Sequence, residues 1–127
     1  MRNMSFSLTT QQVRDREKDL TRRFGWWFLK PGDMVQPVLK GMGMKKGEKI
    51  EQIGCPIRIV SVRKEPLWHI KEGECVREGF PEMSELDFVY MLVRHYRCNG
   101  WDDVNRIEFE YVANAQVDFQ KGARSAE

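Results

Sequence analysis

The sequence predicts an α+β domain in which a mixed or closed β-barrel carries helices on its outside. The chain has 127 residues, which suits one compact domain that buries roughly two-thirds of the surface exposed in the unfolded chain. The apolar patterns follow the order β-α-β-β-β-α-α-β, and the strands are short and scattered. A doubly wound parallel sheet would instead require strands and helices in strict alternation.

The composition excludes several classes of protein. With 4 Trp, 3 Tyr and 7 Phe the chain has too many aromatic residues for intrinsic disorder. No apolar run approaches the ~20 residues that span a bilayer, and the first residues lack the apolar stretch of a signal peptide. Cys55, Cys75 and Cys98 are far apart and form no C-x-x-C pair, which argues against a disulfide framework or a zinc site. We therefore expect a cytoplasmic single-domain protein with no metal and no membrane contact.

Charge is distributed unevenly along the chain. Residues 1–49 contain 11 basic and 5 acidic side chains, a net charge of +6, whereas residues 50–127 contain 10 basic and 14 acidic ones, a net charge of −4. A basic half favours a polyanionic partner, with RNA or DNA first among the candidates. Chance clustering of surface charge is the alternative.

A strand, a helix and two further strands are predicted in the first 39 residues. Ser5 to Leu8 alternates polar and apolar residues, as in a half-buried strand. Thr9 followed by Gln12 has the form of a capping box and begins a short helix from about 10 to 17. Strands are then expected at 20–24 and 34–39, separated by an apolar segment at 25–29 and a Pro-Gly turn at 30–33.

The middle of the chain is predicted to be a loop followed by strands. Residues 40–49 contain three glycines and four lysines and show no apolar periodicity, which is typical of an exposed basic loop. Isoleucine and valine recur from 50 to 62 and predict two strands or one bulged strand, since Pro56 cannot donate to a central ladder.

Two helices and a strand complete the predicted domain. Residues 68–78 are expected to be helical, and Gly79 is suited to end that helix. Ser84 begins the clearest helix, with Asp87 at its third position. Its broad apolar face comprises Leu86, Val89, Leu92, Val93 and Tyr96.

The last strand shows the clearest alternation in the chain. Ile107, Phe109 and Tyr111 alternate with charged residues, so we expect these three side chains to face the inside of the barrel. Leu86, Val89 and Val93 are expected to cover the barrel from outside. The domain is expected to span 1–112, and residues 113–127 form a polar tail that we expect to be flexible.

One charged segment contains the best candidates for chemistry. Lys18 lies at the end of the first predicted helix, three residues before Thr21. In a strand, Thr21 and Arg23 point to one face and Arg22 to the other. An amine and a hydroxyl can therefore converge at the mouth of the strand, with Arg23 placed to hold an anion. His69 and His95 are far apart, and structural roles are expected for both.

Lys-Asp-Leu-Thr-Arg-Arg at 18–23 resembles the G-x-K-T-x-T-x-R motif of the ASCH (activating-signal-cointegrator homology) domain family. Leu-Lys-Pro-Gly-Asp at 29–33 resembles the Gly-Asp that follows this motif. That family has a PUA-like β-barrel fold. The resemblance continues through 60–67, 78–84 and 106–111, so that it covers residues 4–112. The lysine-rich Gly-Met-Gly loop is similar to that of small ASCH proteins encoded by phages and prophages. The resemblance implies a PUA-like closed barrel.

The resemblance also implies a function. ASCH and PUA-like domains are thought to bind RNA in a cleft of the barrel. One small bacterial branch is an amidohydrolase that removes the acetyl group from N4-acetylcytidine, and other members are associated with RNA cleavage. Lys18, Thr21 and Glu78 match the lysine, threonine and glutamate that act in the amidohydrolase branch. In that chemistry a hydroxyl attacks the amide carbonyl, a neutral amine takes its proton, and a carboxylic acid protonates the leaving amine.

Two positions depart from the family motif. Arg16 replaces the first glycine, where a side chain crowds a close backbone approach. Asp19 replaces the threonine after the lysine, and a carboxylate beside Lys18 would favour the charged ammonium, which is the wrong form for a general base. Lys18 itself is expected at the surface, where its removal would cost little stability.

The two main hypotheses are an RNA- or nucleotide-binding module and an amidohydrolase or ribonuclease. Basic side chains would contact phosphates, and an exposed tryptophan would stack on a base. Because Trp26 and Trp27 are adjacent, one ring is expected to pack inward and the other to be exposed. A third possibility is a phage protein that acts on a host factor. We expect RNA or a nucleoside as partner, no cofactor and a monomer. The expected RNA contacts are Arg22, Arg23, Lys45, Lys46, Lys49 and Trp26.

Overall fold

A computed structural model of the chain describes residues 1–41 and 45–112. The expected tail at 113–127 and the centre of the basic loop at 42–44 lie outside these residues, and the expected domain boundary at residue 112 stays a prediction. The strands are β1 (Arg2–Ser5), β2 (Leu20–Arg23), β3 (Met34–Val38), β4 (Ile57–Pro66) and β5 (Asp103–Tyr111). The helices are α1 (Thr10–Arg14), α2 (Glu74–Arg77) and α3 (Glu85–Tyr96), with 3-10 turns at Ser7–Thr9 and Leu67–His69.

The five strands form one mixed sheet in the order β1-β3-β4-β5-β2. β1 runs parallel to β3, and the other neighbours are antiparallel. In the described part of the chain β1 and β2 are edges that do not pair with each other, so the sheet is open. The α+β class is confirmed, whereas the closed barrel is not found. Both edge strands have only four residues, and the chain turns away from β1 at Ser7–Thr9 before a ladder to β2 forms.

Side chains occupy the space between the two edges of the sheet. Phe6, immediately after β1, lies beneath the guanidinium of Arg23 at the end of β2, with Cζ 4.6 Å from the centre of the ring. This cation–π contact lies between the ends of β1 and β2, where a closed barrel would have backbone hydrogen bonds.

The antiparallel pair of β4 and β5, which are separated in sequence by the 3-10 turn at Leu67–His69, α2 and α3, is the longest pairing in the sheet. β4 pairs with β5 over most of its ten residues, with a register shift between Ile59 and Ser61. Sequence analysis predicted two strands or one bulged strand in this region, and the structure has one bulged strand that begins after Pro56. Of the residues between 50 and 56, Gln52 forms an isolated bridge to Val38.

Several predicted elements are shifted or shortened. The strand expected at 5–8 ends at Ser5, and the helix expected at 10–17 ends at Arg14. Thr9 stands at the N-cap of α1 but makes no side-chain capping bond, and the side chain of Gln12, expected to complete the capping box, donates to the carbonyl of Gly79. The helix expected at 68–78 is broken into a 3-10 turn and α2 by residues 70–73, which include a left-handed glycine.

Of the helix ends predicted from sequence, the start of α3 at Ser84 and the end of α2 at Gly79 are confirmed. The Ser84 hydroxyl caps α3 by accepting from the backbone N–H of Asp87 at 3.1 Å. Gly79 follows the end of α2 with φ of 99°. Its N–H donates to Val76 and that of Phe80 donates to Cys75, which is the pair of bonds that defines a Schellman motif.

The core consists of two apolar clusters. The first lies on one face of the sheet, where Ile107 and Phe109 are buried and Phe109 packs on Phe6 with ring centroids 5.9 Å apart. Tyr111 is only partly buried beside it. The second cluster lies under α3, and its buried members are Leu67, Ile70, Cys75, Phe88, Val89, Leu92 and Val104.

The apolar face of α3 is narrower than the sequence predicted. Val89 is buried as expected and Val93 is partly buried, but Leu86 is 46% exposed. The buried stripe follows Phe88, Val89 and Leu92, which share one side of the helix. Leu86 therefore does not cover the sheet.

We expect Phe109→Ala to lower the free energy of unfolding by about 3–5 kcal/mol, because it removes a buried aromatic ring from the first cluster. Phe28→Ala is the matched control, since Phe28 is an exposed ring whose removal should cost less than about 1 kcal/mol. Denaturant unfolding measures both values. Equal losses in the two variants would contradict the assignment of Phe109 to the core.

Candidate functional site: a cavity between the sheet edges

A cavity of about 170 Å³ opens between the two edges of the sheet. Its walls come from the segment after β1, from β2, from the end of α2 and from the inner side of α3. The lining residues are Ser5, Phe6, Ser7, Leu8, Thr9, Lys18, Thr21, Arg22, Arg23, Glu78, Phe80, Phe88, Met91, Leu92, His95 and Tyr96. Lys18, Thr21 and Glu78, which the family resemblance singled out, all line this one cavity.

Backbone contacts bring Lys18 to Glu78 across sixty positions of sequence. The N–H of Asp19 donates to the carbonyl of Arg77 at 3.0 Å, which joins the start of β2 to the end of α2. The side chain of Gln12 donates to the carbonyl of Gly79 at 3.0 Å. A Cβ at Gly79 would lie 3.1 Å from Gln12 Cγ, so this close approach of α1 and α2 requires glycine.

Lys18 is buried, which contradicts its expected place at the surface. Its Nζ donates to the Glu78 carbonyl at 2.5 Å and lies 3.1 Å from Glu78 Oε1. Burial lowers the pKa of Lys18 below its ordinary value, while the nearby Glu78 carboxylate opposes that shift. The site therefore contains an amine that is easier to deprotonate than a surface lysine.

Thr21 and Arg23 lie on the same face of β2, as the strand period predicted. Thr21 is buried, and its Oγ1 accepts a hydrogen bond from Arg23 Nε at 3.0 Å. Arg23 is half-buried in the cavity wall. A cation thus lies directly beside the Thr21 hydroxyl, an arrangement that favours negative charge on its oxygen.

Arg22 is the centre of a buried ionic network. Its guanidinium donates to Glu78 at 2.8 Å, to Glu74 at 2.6 Å and to Glu65 at 3.2 Å. Arg106 also donates to Glu74. Since the Arg22 side chain is 0% exposed, it does not form the direct RNA contact that the sequence suggested. It holds the Glu78 carboxylate in place.

Two carboxylates, Glu74 in the network and Glu108 at its edge, have lowered pKa values that favour their charged form. Burial alone would raise the pKa of Glu74, but hydrogen bonds from the Lys71 N–H and from Arg106, together with the charge of Arg22, outweigh it and lower the pKa to about 2. At the edge of the network, hydrogen bonds from Ser61 and Arg77 lower the pKa of Glu108 to about 2.

The network accounts for part of the uneven charge distribution along the sequence. Lys18 and Arg22 from the basic half bind Glu65, Glu74 and Glu78 from the acidic half. Part of the sequence asymmetry is therefore internal pairing rather than a surface for a polyanion.

Neither departure from the family motif disrupts the site. Arg16 adopts a left-handed conformation, with φ of 59°, and its exposed side chain points over Tyr111 rather than into the cavity. Asp19 forms an ion pair with Arg77 at 2.9 Å. The carboxylate that was expected to keep Lys18 charged is therefore engaged by another cation.

The remaining predicted RNA contacts lie at different distances from the cavity. Lys45, Lys46 and Lys49 are exposed, and Lys49 lines a groove that shares Ser7 with the cavity. Trp26 is half-buried and packs against the first core cluster, whereas Trp27 is exposed. One ring packs inward and one outward, as predicted, but Trp26 does not line the cavity.

Sequence analysis missed the residues that complete the site. Glu65, Glu74 and Arg106 join the network through β4, α2 and β5, and no short spacing in the sequence connects them. Tyr96 and His95 line the cavity from the end of α3, although the sequence placed Tyr96 on the core-facing side. Arg106 and Glu65 gave no distinct signal, because each lies among other charged residues of its strand.

Other classes of site find no support in the residues that the structure describes. No group of three or more His, Cys, Asp or Glu side chains there is arranged to hold a metal ion. Within residues 1–41 and 45–112, no helix is long and apolar enough to cross a membrane.

We expect Glu74→Gln to lower the free energy of unfolding at pH 7 by about 3–5 kcal/mol, because Arg22 and Arg106 lose their shared anion. The folded-state pKa of about 2 lies below the ordinary 4.5. The stability that Glu74 contributes is therefore present above pH 4.5 and lost as the pH falls toward 2. Denaturant unfolding should show a smaller loss between pH 5 and 2 in the variant than in the wild type.

Glu110→Gln is the control for this experiment, because Glu110 forms an exposed ion pair with Arg58 at 2.8 Å. Its removal should cost less than about 1 kcal/mol and leave the acid dependence unchanged. If the two variants behave alike, the buried network does not stabilise the fold.

Comparisons with known proteins place the fold. No family model and no curated protein matches the sequence. A crystal structure of an ASCH domain from Lactobacillus crispatus JV V101 aligns with a TM-score of 0.55 at 16% identity, covering 86% of this chain and 77% of that one. A protein from Enterococcus faecalis V583, with the family description DUF984, aligns with a TM-score of 0.50 at 16% identity over 81% of this chain. This chain spans 66% of that protein, just under two-thirds. The chain has the fold of an ASCH domain.

Proposed function

We propose that the cavity binds a nucleoside, free or within RNA, and that Lys18, Thr21 and Glu78 hydrolyse an acyl amide on it, such as that of N4-acetylcytidine. One observation carries the proposal: an amine with a lowered pKa, a hydroxyl and a carboxylate line the same small cavity. The ASCH fold supports it, because the family includes RNA-binding proteins and an amidohydrolase of this kind.

The size and charge of the cavity favour a single base over a duplex. A volume of about 170 Å³ holds one heterocycle and a small acyl group, but excludes a double helix. Lys49 lines the neighbouring groove, and together with the exposed Lys45 and Lys46 it can attract a phosphate backbone. RNA would therefore present one unstacked base to the cavity.

The proposed reaction begins at the hydroxyl of Thr21. Its oxygen attacks the acyl carbonyl carbon while Lys18, as the neutral amine, takes the hydroxyl proton. The hydrogen bond from Arg23 to Thr21 eases the loss of this proton, because a nearby cation favours negative charge on the attacking oxygen.

Glu78 completes the transfer of the proton. The 3.1 Å contact between Lys18 Nζ and Glu78 Oε1 is a route by which the proton passes on to the leaving amine as the carbon–nitrogen bond breaks. Water then hydrolyses the acyl-threonine, which releases the carboxylic acid and regenerates the hydroxyl. Arg22 takes no part in the proton transfers and orients Glu78.

We expect Lys18→Met to reduce the release of cytidine from N4-acetylcytidine by at least about a hundredfold, since a general base is lost. Chromatography of the products measures the rate. Lys71→Met is the matched control, because Lys71 has an exposed side chain outside the cavity, and it should retain full activity.

Since Lys18 is buried, thermal unfolding must show that the Lys18→Met variant remains folded at the assay temperature. A folded variant that keeps wild-type turnover would refute the role of Lys18. Shortened RNA fragments, with no loss of the acetyl group, would instead indicate a ribonuclease that uses the same cavity.

The pH dependence of the reaction follows from the burial of Lys18. Only the neutral amine acts as a base, so kcat should rise with pH through the pKa of Lys18. Because burial lowers that pKa, the rise should have its midpoint below the ordinary 10.5. Initial rates across a pH series, with substrate in excess, test this. A rate that falls as the pH rises would contradict the base assignment.

A further inference from the structure

Beyond the catalytic set, the mouth of the cavity contains a pair of aromatic rings that the reaction does not use. Tyr96, the last residue of α3, lines the cavity and is 45% exposed. Its ring lies 5.3 Å from that of Phe24, the residue after β2, which is 38% exposed. His95 packs edge-on against Tyr96 with ring centroids 4.7 Å apart, which restricts the orientation of the tyrosine. Tyr96 at the cavity and Phe24 beside it, with ring planes 58° apart, form an exposed aromatic patch that we call the platform.

Arg23 lies between the catalytic hydroxyl and this platform. Its Nε donates to Thr21, its guanidinium stacks on Phe6, and Tyr96 is close enough to influence its pKa. Among the described residues, no carboxylate lies within 4 Å of Arg23, whereas Lys18, Arg22 and Arg106 each have at least one carboxylate within that distance.

The environment of Arg23 favours an external anion. Burial lowers the pKa of its guanidinium, which means that the folded protein disfavours the charge it must carry. A phosphate bound there would offset that cost, and the planar fork of arginine matches phosphate oxygens. An unpaired, partly buried arginine in a cavity wall is therefore suited to a phosphodiester.

The order of these groups matches one step of a nucleic acid chain. Exposure increases from Thr21, which is buried, through Arg23, which is half-buried, to Tyr96 and its neighbour Phe24, which are exposed. We propose that the reacting base enters at Thr21, that Arg23 binds the phosphate next to it, and that Tyr96 and Phe24 stack the neighbouring base. This inference rests on the proposed function, and it names the substrate as single-stranded RNA rather than a free nucleoside.

The platform replaces the stacking role that the sequence suggested for Trp26. Trp26 packs on the first core cluster, and its carbonyl accepts from Asn105. Other exposed aromatic rings lie elsewhere: Tyr90, which is 54% exposed on the same helix, packs against Trp68 and borders a different surface groove. Tyr90 is therefore a matched control for Tyr96.

The test compares the binding of cytidine with that of the trinucleotide 5′-ACA-3′, which supplies a flanking base on both sides. Calorimetric titration of the full-length protein gives both affinities. Since one stacked base strengthens binding by about tenfold or more, wild type should bind the trinucleotide at least tenfold more tightly. Tyr96→Leu should abolish most of this advantage while cytidine binding is unchanged. Tyr96→Phe and Tyr90→Leu should both retain it.

The outcomes separate this inference from the function on which it rests. If cytidine and the trinucleotide bind equally well to wild type, the nucleoside site stands and the stacking subsite is refuted. An equal loss in Tyr96→Leu and Tyr90→Leu also refutes it. If neither ligand binds to folded wild-type protein, the proposed function fails, and this inference fails with it.

Discussion

The burial of Arg22 among three glutamates is the constraint on which the rest of the structure depends. A guanidinium without solvent contact is tolerated only when carboxylates surround it, and here they come from β4, from α2 and from the residue after α2. Strand β2 therefore cannot shift along β5 or away from α2 without exposing or orphaning a charge. The same network fixes Glu78, and Glu78 in turn holds the amine of Lys18. Stability and the geometry of the site thus have one origin.

The open edge of the sheet follows from the same arrangement and provides the cavity. Because β1 and β2 are short and do not pair, side chains rather than backbone amides face each other across the gap. One wall is polar and contains the paired charges of Lys18, Arg22 and Glu78 together with Arg23, and the other is formed by α3 and the residues after β1. A closed ladder at this place would have left no room for a ligand. In this chain the ASCH fold combines a continuous five-stranded sheet with a cleft between its two edge strands, β1 and β2.

Sequence patterns predicted those features that local chemistry determines. The alternation at Ile107 and Phe109, the Ser84 cap and the Gly79 helix end each depend on neighbouring residues, and each was found. Long-range pairing was not predictable. Gln12 donates to the carbonyl of Gly79 rather than to the N-cap of its own helix, and the buried Lys18 pairs with Glu78, which lies sixty positions away in the sequence. The site was located through motif resemblance, but nothing in the sequence showed that Arg22 was committed to Glu65 and Glu74 or that Tyr96 borders the cavity.

The ion pair between Asp19 and Arg77 also bears on how such a motif diverges in evolution. Arg77 is shared by Asp19 and Glu108, and Asp19 stands where the ASCH motif that this sequence resembles has threonine. A mutation of Asp19 alone would leave Arg77 with one anion, and a mutation of Arg77 alone would release a carboxylate next to the buried lysine. The two positions are therefore expected to covary among relatives. An aspartate beside the buried lysine is thus accommodated together with its own cation on α2.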